Sequence, residues 1–127
     1  MGYTMDRNVS GTFDQVVERT IAALKTEGFG VLSDIDIRAT LKAKLGAEFR
    51  PYRILGACNP PFAHRALLAE DKIGAMLPCN VIVQQKNDSI EVSAVDPLAG
   101  MERIGNPELT AIAREVAEKL ARAIAAI

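Results

Sequence analysis

Apolar and polar residues alternate in five segments of the chain, which is the pattern of β-strands with one buried face. The predicted strands are residues 3–9, 29–37, 52–58, 81–85 and 90–95. Asn87-Asp88 separates the last two and favours a tight turn, so these strands form a predicted hairpin. In the first strand Arg7 interrupts the apolar face, which indicates a strand end or a sheet edge. In the second strand the odd-numbered residues are expected to face the core.

Two longer segments have the helical spacing of apolar residues. The first begins at Thr12, which forms a predicted capping box with Gln15, and ends at Gly28. The second begins with Asn106 as N-cap and Pro107 at the first helical position. Its apolar stripe consists of Leu109, Ile112, Val116, Leu120, Ala123 and Ile127. Residues spaced four apart on its polar side predict two ion pairs, Glu115 with Lys119 and Glu118 with Arg122.

Shorter elements fill the remaining chain. Residues 38–45 form a predicted basic helix that Leu41 and Leu45 anchor and Gly46 closes, and residues 62–70 form another. Residues 73–76 and 98–105 are expected to be loops. The pattern predicts one α+β domain over residues 1–127. We expect a mostly antiparallel five-stranded sheet with two long helices on one face, plus short helices.

Composition and charge exclude several classes of protein. The 127 residues carry a formal net charge of −1 at pH 7, which gives no basic surface for nucleic acid or anionic lipid. No apolar run is long enough to cross a membrane, and the first residues lack the pattern of a secretory signal. Two cysteines without such a signal favour reduced thiols and a cytoplasmic location.

The segment that begins at Cys58 contains the first candidate for chemistry. Cys58 ends a predicted strand, and Asn59 is a good N-cap for the helix that follows. Pro60 then occupies the first helical position, where its missing N–H costs nothing. Unpaired amides and the helix dipole favour an anion at such an end, so we expect a thiolate to be stabilised at Cys58.

Leu77-Pro78-Cys79 comes directly before the fourth predicted strand. The intervening helix and loop are long enough to return the chain to the same edge of the sheet, where the two thiols would converge. The predicted site is lined by Cys58, Asn59, Pro60, Pro78 and Cys79. In the alternative interpretation both cysteines are small buried hydrophobic residues, the usual fate of a free cysteine.

Other residues add little to this site. His64 is the sole histidine, and its spacing from Cys58 is weak evidence for a catalytic pair. A structural zinc site needs four ligands, whereas two soft sulfurs at Cys58 and Cys79 suit copper(I). Met76 and Met101 are further soft donors in nearby loops, although a methionine usually fills a core.

A family resemblance rests on four stretches that span nearly the whole chain. They are residues 52–60, which include Cys58-Asn59-Pro60, residues 77–81, which begin Leu77-Pro78-Cys79, residues 28–31, and the pair Asp96-Pro97. Together they resemble the bacterial and archaeal family called domain of unknown function 302. The resemblance implies a compact α+β fold of the TATA-binding-protein-like type, which does not in itself imply DNA binding. It also implies a homodimer. It implies no particular chemistry.

These observations leave three hypotheses about function. The leading one is a small cytoplasmic binding module whose two-cysteine site at a helix N-terminus holds a soft metal ion or a small ligand. In the second, the protein is a thiol-dependent redox enzyme in which Cys58 is the nucleophile and Cys79 resolves the intermediate. In the third, both thiols are inert and buried, and the protein is a structural dimeric domain.

Overall fold

The computed structural model describes residues 2–127 and places five strands in one sheet. They are β1 (Thr4–Val9), β2 (Gly30–Asp36), β3 (Tyr52–Cys58), β4 (Cys79–Lys86) and β5 (Ser89–Val95). Every neighbouring pair is antiparallel, and the order across the sheet is β1-β5-β4-β3-β2. The predicted hairpin is confirmed, since β4 and β5 are joined at Asn87-Asp88 and Asn87 has a φ of 53°.

The helices follow the predicted order, with some additions. They are α1 (Phe13–Thr26), α2 (Ile37–Leu45), α3 (Pro60–Ala69), α4 (Pro97–Met101) and α5 (Pro107–Ala125), with short 3-10 helices at Asp71–Met76 and Glu102–Ile104. The capping box of Thr12 and Gln15 is confirmed. The Asn106 side chain accepts from the amide of Glu108 and caps α5 as predicted. Among the helices of residues 2–127, none combines the length and the apolar character that a membrane-spanning segment requires.

The core lies between one face of the sheet and the two long helices. Antiparallel pairing aligns Leu55 with Val81 and Val83 with Val92, and all four are fully buried. The fully buried Leu24 of α1 and Leu120 of α5 belong to the same apolar cluster. The predicted apolar stripe of α5 is buried along its whole length. The expected α+β architecture, with helices over one face of an antiparallel sheet, is confirmed.

The prediction for the second strand is wrong in two respects. A register shift between Val31 and Ser33 interrupts the alternation of faces, so Ile35 is exposed instead of facing the core. The strand also stops at Asp36, whose carboxylate accepts from the amide of Ala39 and caps α2. β2 is an edge strand in which Val31 alone is partly buried, whereas Phe29, immediately before the strand, is almost completely buried.

Both predicted loops are also wrong, because acidic side chains start short helices there. Asp96 accepts from the amide of Leu98 and begins α4, and Glu70 accepts from the amide of Lys72 and begins Asp71–Met76. Leu45 does not anchor α2 as expected, since its side chain is 73 % exposed. Predicting helices by apolar spacing fails for elements that consist of one or two turns.

Arg7 explains why a charged residue interrupts the apolar face of β1. Arg7 lies in the edge strand β1, opposite Val92 of β5. Its Nη1 donates to three carbonyl oxygens at the end of α5. These are the carbonyls of Ile124 at 3.0 Å and of Ala125 and Ile127 at 2.8 Å. A helix C-terminus carries partial negative charge and unpaired carbonyls, so a guanidinium stabilises it.

We expect Arg7→Met to lower the free energy of unfolding by about 1.5–3 kcal/mol, because the aliphatic stem stays while charged hydrogen bonds are lost. Urea unfolding followed by circular dichroism measures this change. Arg19→Met is the matched control, since the Arg19 guanidinium donates to the carbonyl of Ser10 in an exposed hydrogen bond of 2.8 Å. Equal losses in the two variants would contradict the stated role of Arg7.

Candidate functional site

A narrow cavity of about 40 Å³ lies where the ends of β3 and β4 meet α3, α4 and α5. Four of the five residues predicted for the site line it, namely Cys58, Asn59, Pro78 and Cys79. Pro60 starts α3 as predicted but is exposed and is not among the lining residues. The rest of the wall is apolar and consists of Phe29, Ala57, Phe62, Ala63, Ala66, Leu77, Pro97, Met101, Ile112, Ala113 and Val116.

The register of the sheet brings the two cysteines to the same end. Ala57 of β3 is paired with Cys79, the first residue of β4, and Cys58 is the residue next to Ala57. The chain leaves β3, passes through α3 and the 3-10 helix, and returns into β4 beside its starting point. Antiparallel pairing therefore brings the two cysteines to the same edge of the sheet, as the sequence predicted.

The residues that line the cavity differ in how far they are buried. Cys58 and Cys79 are half-buried, as are Phe62 and Pro78. By contrast, the lining residue Ala113 is almost completely buried, in common with Phe29 and Ala57.

Burial raises the pKa of the Cys79 thiol to about 11, and negative charge on the neighbouring Cys58 adds to the shift. Few polar groups near Cys79 are available to stabilise a thiolate, and the apolar wall keeps water away. At neutral pH Cys79 is therefore a protonated thiol. A ligand that binds this sulfur as a thiolate must displace its proton.

Asn59 occupies the N-cap position of α3, but the predicted side-chain cap is wrong. Its Nδ2 instead donates to the carbonyl of Glu27 at 3.1 Å, at the end of α1. The amide is directed there because Gly28 turns the chain with a φ of 88° and leaves room for it, since a Cβ on Gly28 would lie 3.1 Å from Nδ2. Asn59 thus ties the turn between α1 and β2 to the wall of the cavity.

The first turn of α3 offers fewer free amides than expected. Pro60 and Pro61 have no N–H, and the amide of Ala63 donates to the carbonyl of Asn59 at 3.0 Å. The helix end beside Cys58 is therefore a weaker source of backbone donors than an ordinary helix N-terminus. Chemistry at this site depends mainly on the sulfur atoms.

Gly56 of β3 has no side chain, which lets a proline ring approach the sheet closely. A Cβ on Gly56 would lie 2.7 Å from Cγ of Pro78 and would overlap the hydroxyl of Ser33. The ring of Pro78 therefore rests on the backbone of β3. This contact fixes the turn that contains the cis Leu77–Pro78 peptide bond and leads into Cys79.

The structure also shows which of the weaker candidate site residues line the cavity. His64 is exposed and does not line the cavity, so no Cys–His arrangement is seen. Met101 lines the cavity and is 8 % exposed, whereas Met76 is 48 % exposed and lies outside it. Within residues 2–127, no group of three or more His, Cys, Asp and Glu side chains is placed to hold a metal ion.

Sequence reasoning missed most of the apolar wall. Phe62 belonged to a predicted helix and Ile112 to a predicted apolar stripe, but neither pattern says which elements face each other. Phe29 was expected to be buried, without indication that it borders the cysteines. The only local signal for a wall residue was the Asp96-Pro97 pair. This pair starts a short helix, and Met101 lies about one turn further along it.

A family model described as "Domain of unknown function DUF302" matches residues 5–127. The chain is also similar to a solved structure described as "uncharacterized conserved protein DUF302 from Bacillus stearothermophilus". The two are 31% identical and superpose with a TM-score of 0.91, over 97% of this chain and 96% of the other. A search among curated proteins finds no match.

We expect Gly56→Ala to destabilise the fold by about 1–3 kcal/mol, because Pro78 and Ser33 must both move to admit a methyl group. Gly30→Ala is the matched control on the adjacent strand, since a Cβ there would meet nothing within 4 Å. Urea unfolding measures both changes. A Gly56→Ala protein as stable as the control would show that the contact with Pro78 is not tight.

A second prediction concerns the pH dependence of stability. The pKa of Cys79 is raised from its ordinary 9.0 to about 11 in the folded protein, so folding favours the protonated thiol. This contribution is fully present below about pH 9 and is lost as the pH rises toward 11. We expect the wild type to lose about 2 kcal/mol more than Cys79→Ala across this window.

Unfolding free energies measured in urea at several alkaline pH values test this difference. Cys58→Ala is the control and should keep most of the wild-type dependence, because burial is the main cause of the shift. Parallel pH profiles for the wild type and Cys79→Ala would contradict the burial of the Cys79 thiol.

Proposed function

Because the chain belongs to the family described as Domain of unknown function DUF302, whose description names no activity, we propose a function from the site itself. The protein is a small binding module that holds one soft metal ion, or another ligand of a few atoms, at the thiols of Cys58 and Cys79. The observation that carries this proposal is that both cysteines line one small apolar cavity.

The size of the cavity supports a compact ligand. Pockets for organic metabolites and cofactors typically enclose about 300–1,000 Å³. The cavity beside the cysteines has a volume of about 40 Å³, which suits an ion or a few atoms. A nucleotide or a sugar would require the wall formed by α3 and α5 to move apart.

The chemistry of the wall supports a soft ligand. Apart from the cysteines, none of the lining side chains is ionisable, and the Nδ2 of Asn59 is already engaged with Glu27. Hard cations prefer several oxygen ligands, whereas thiolate sulfur selects copper(I) and other soft ions. The ion would replace the thiol protons and would be shielded from water by the hydrocarbon behind the sulfurs.

The two alternatives fit the site less well. A resolving cysteine must attack as a thiolate, and a pKa of about 11 leaves Cys79 almost entirely protonated at neutral pH. An inert structural role gives no account of why two cysteines from different strands line the same cavity. The homodimer, the cytoplasmic location and the TATA-binding-protein-like relationship stay predictions.

We expect the reduced protein to bind one copper(I) per chain, and Cys58→Ala and Cys79→Ala each to weaken binding by more than about tenfold. Anaerobic competition with the chromogenic ligand bicinchoninate measures the affinity. His64→Ala is the control and should bind like the wild type, since His64 is exposed and outside the cavity. Wild-type binding no stronger than that of a variant lacking both cysteines would reject the proposal.

A further inference from the structure

We infer that Met101 is a third sulfur ligand of the proposed site, so that the ion it holds is copper(I) bound by two thiolates and one thioether. The inference rests on the proposed function and adds to it the identity of the ion and one further ligand. It is carried by a juxtaposition seen only in the folded chain, since Cys58, Cys79 and Met101 all line the same cavity.

The position of Met101 is fixed by the fold. It is the last residue of α4, a helix that begins where the Asp96 carboxylate accepts from the amide of Leu98 at 3.0 Å. Pro97, at the first position of α4, lines the cavity together with Met101, and α4 packs against α5. Met101 is thus held at the cavity by an element with its own cap and its own packing, and it is 8 % exposed.

A methionine that is close to Cys79 in sequence does not necessarily line the cavity, as Met76 shows. Met76 precedes Cys79 by three residues and is much closer to it in sequence than Met101 is. It nevertheless lies outside the cavity and is 48 % exposed, with its Cε close to Gly100. The methionine that lines the cavity is therefore the one that is more distant from Cys79 in sequence.

The three sulfurs determine which ion the site suits. Thioether sulfur is a neutral, soft donor, and sites made of cysteine and methionine select copper(I). Zinc takes thiolate, imidazole and carboxylate ligands and is usually four-coordinate. The cavity is lined by neither histidine nor carboxylate, and residues 2–127 contain no group of three or more His, Cys, Asp and Glu side chains that could hold a metal.

Binding involves no electron transfer. Copper(I) enters as copper(I), each thiol releases one proton to solvent, and the thioether binds through a lone pair without losing a proton. The complex of two thiolates and one monovalent ion carries a single negative charge. The thioether completes the coordination without increasing that charge, which suits an apolar wall.

The test compares Met101→Leu with Met76→Leu. Leucine keeps the approximate volume of methionine and removes the sulfur, so the two variants differ in whether the lost thioether lines the cavity. We expect Met101→Leu to weaken copper(I) binding in the bicinchoninate competition by about tenfold or more, and Met76→Leu to leave it unchanged. Zinc should bind far more weakly than copper(I) to the wild type.

A second measurement does not depend on how well the variant folds. In protein labelled with selenomethionine, X-ray absorption at the copper edge should show two sulfur neighbours and one selenium neighbour. The selenium neighbour should persist in labelled Met76→Leu.

The possible outcomes test the role of Met101 and the proposed function separately. Copper(I) bound through both cysteines, with no selenium neighbour and no effect of Met101→Leu, would overturn the role of Met101 and leave the binding module intact. Zinc bound as tightly as copper(I) would overturn the identity of the ion. A wild-type protein that binds no copper(I) would overturn both the proposed function and this inference.

Discussion

Packing between one face of the antiparallel sheet and the helices α1 and α5 holds the molecule together, through aliphatic side chains that are almost completely inaccessible to water. Leu55, Val81, Val83 and Val92 from the central strands are fully buried in this layer. Removing such surface from water is the main favourable contribution to folding. These residues belong to β3, β4 and β5, which are the central strands, whereas β1 and β2 form the two edges.

The cavity forms at one end of this layer because the residues there are small. Ala57 of β3, Ala63 and Ala66 of α3, and Ala113 of α5 all line it. Alanine side chains let the helices approach the sheet but do not fill the space between them, whereas most protein interiors are packed to the density of organic crystals. A gap bordered by alanines, with two cysteines in its lining, is therefore a distinct feature of this core.

The walls of the cavity are held by contacts to parts of the chain that are distant in sequence. Asn59 reaches Glu27 at the end of α1, and the ring of Pro78 rests on Gly56. The outer face of Phe62 is covered by the guanidinium of Arg65, which lies 5.4 Å from the ring centroid. Such contacts fix the positions of the lining residues, and rigid supporting elements of this kind would favour affinity at the proposed site.

The amino-acid sequence by itself determined the strands, the long helices and their order, because alternation and helical spacing are local patterns that burial of one face enforces. It also identified Cys58, Asn59, Pro78 and Cys79, since strand ends and proline-capped helix starts have local signatures. Tertiary structure decided the edge bulge in β2, the partner of Asn59 and the residues that border the cysteines.

Tertiary structure also decided the ion pairs of α5, which were predicted to lie within the helix. Glu115 pairs with Arg65 of α3 instead, and Arg122 pairs with Glu27 at the end of α1. The physical reason is the same in each case. A local pattern fixes what one segment prefers, but a polar group or a cavity wall takes the neighbours that packing brings to it, and those neighbours come from elsewhere in the chain.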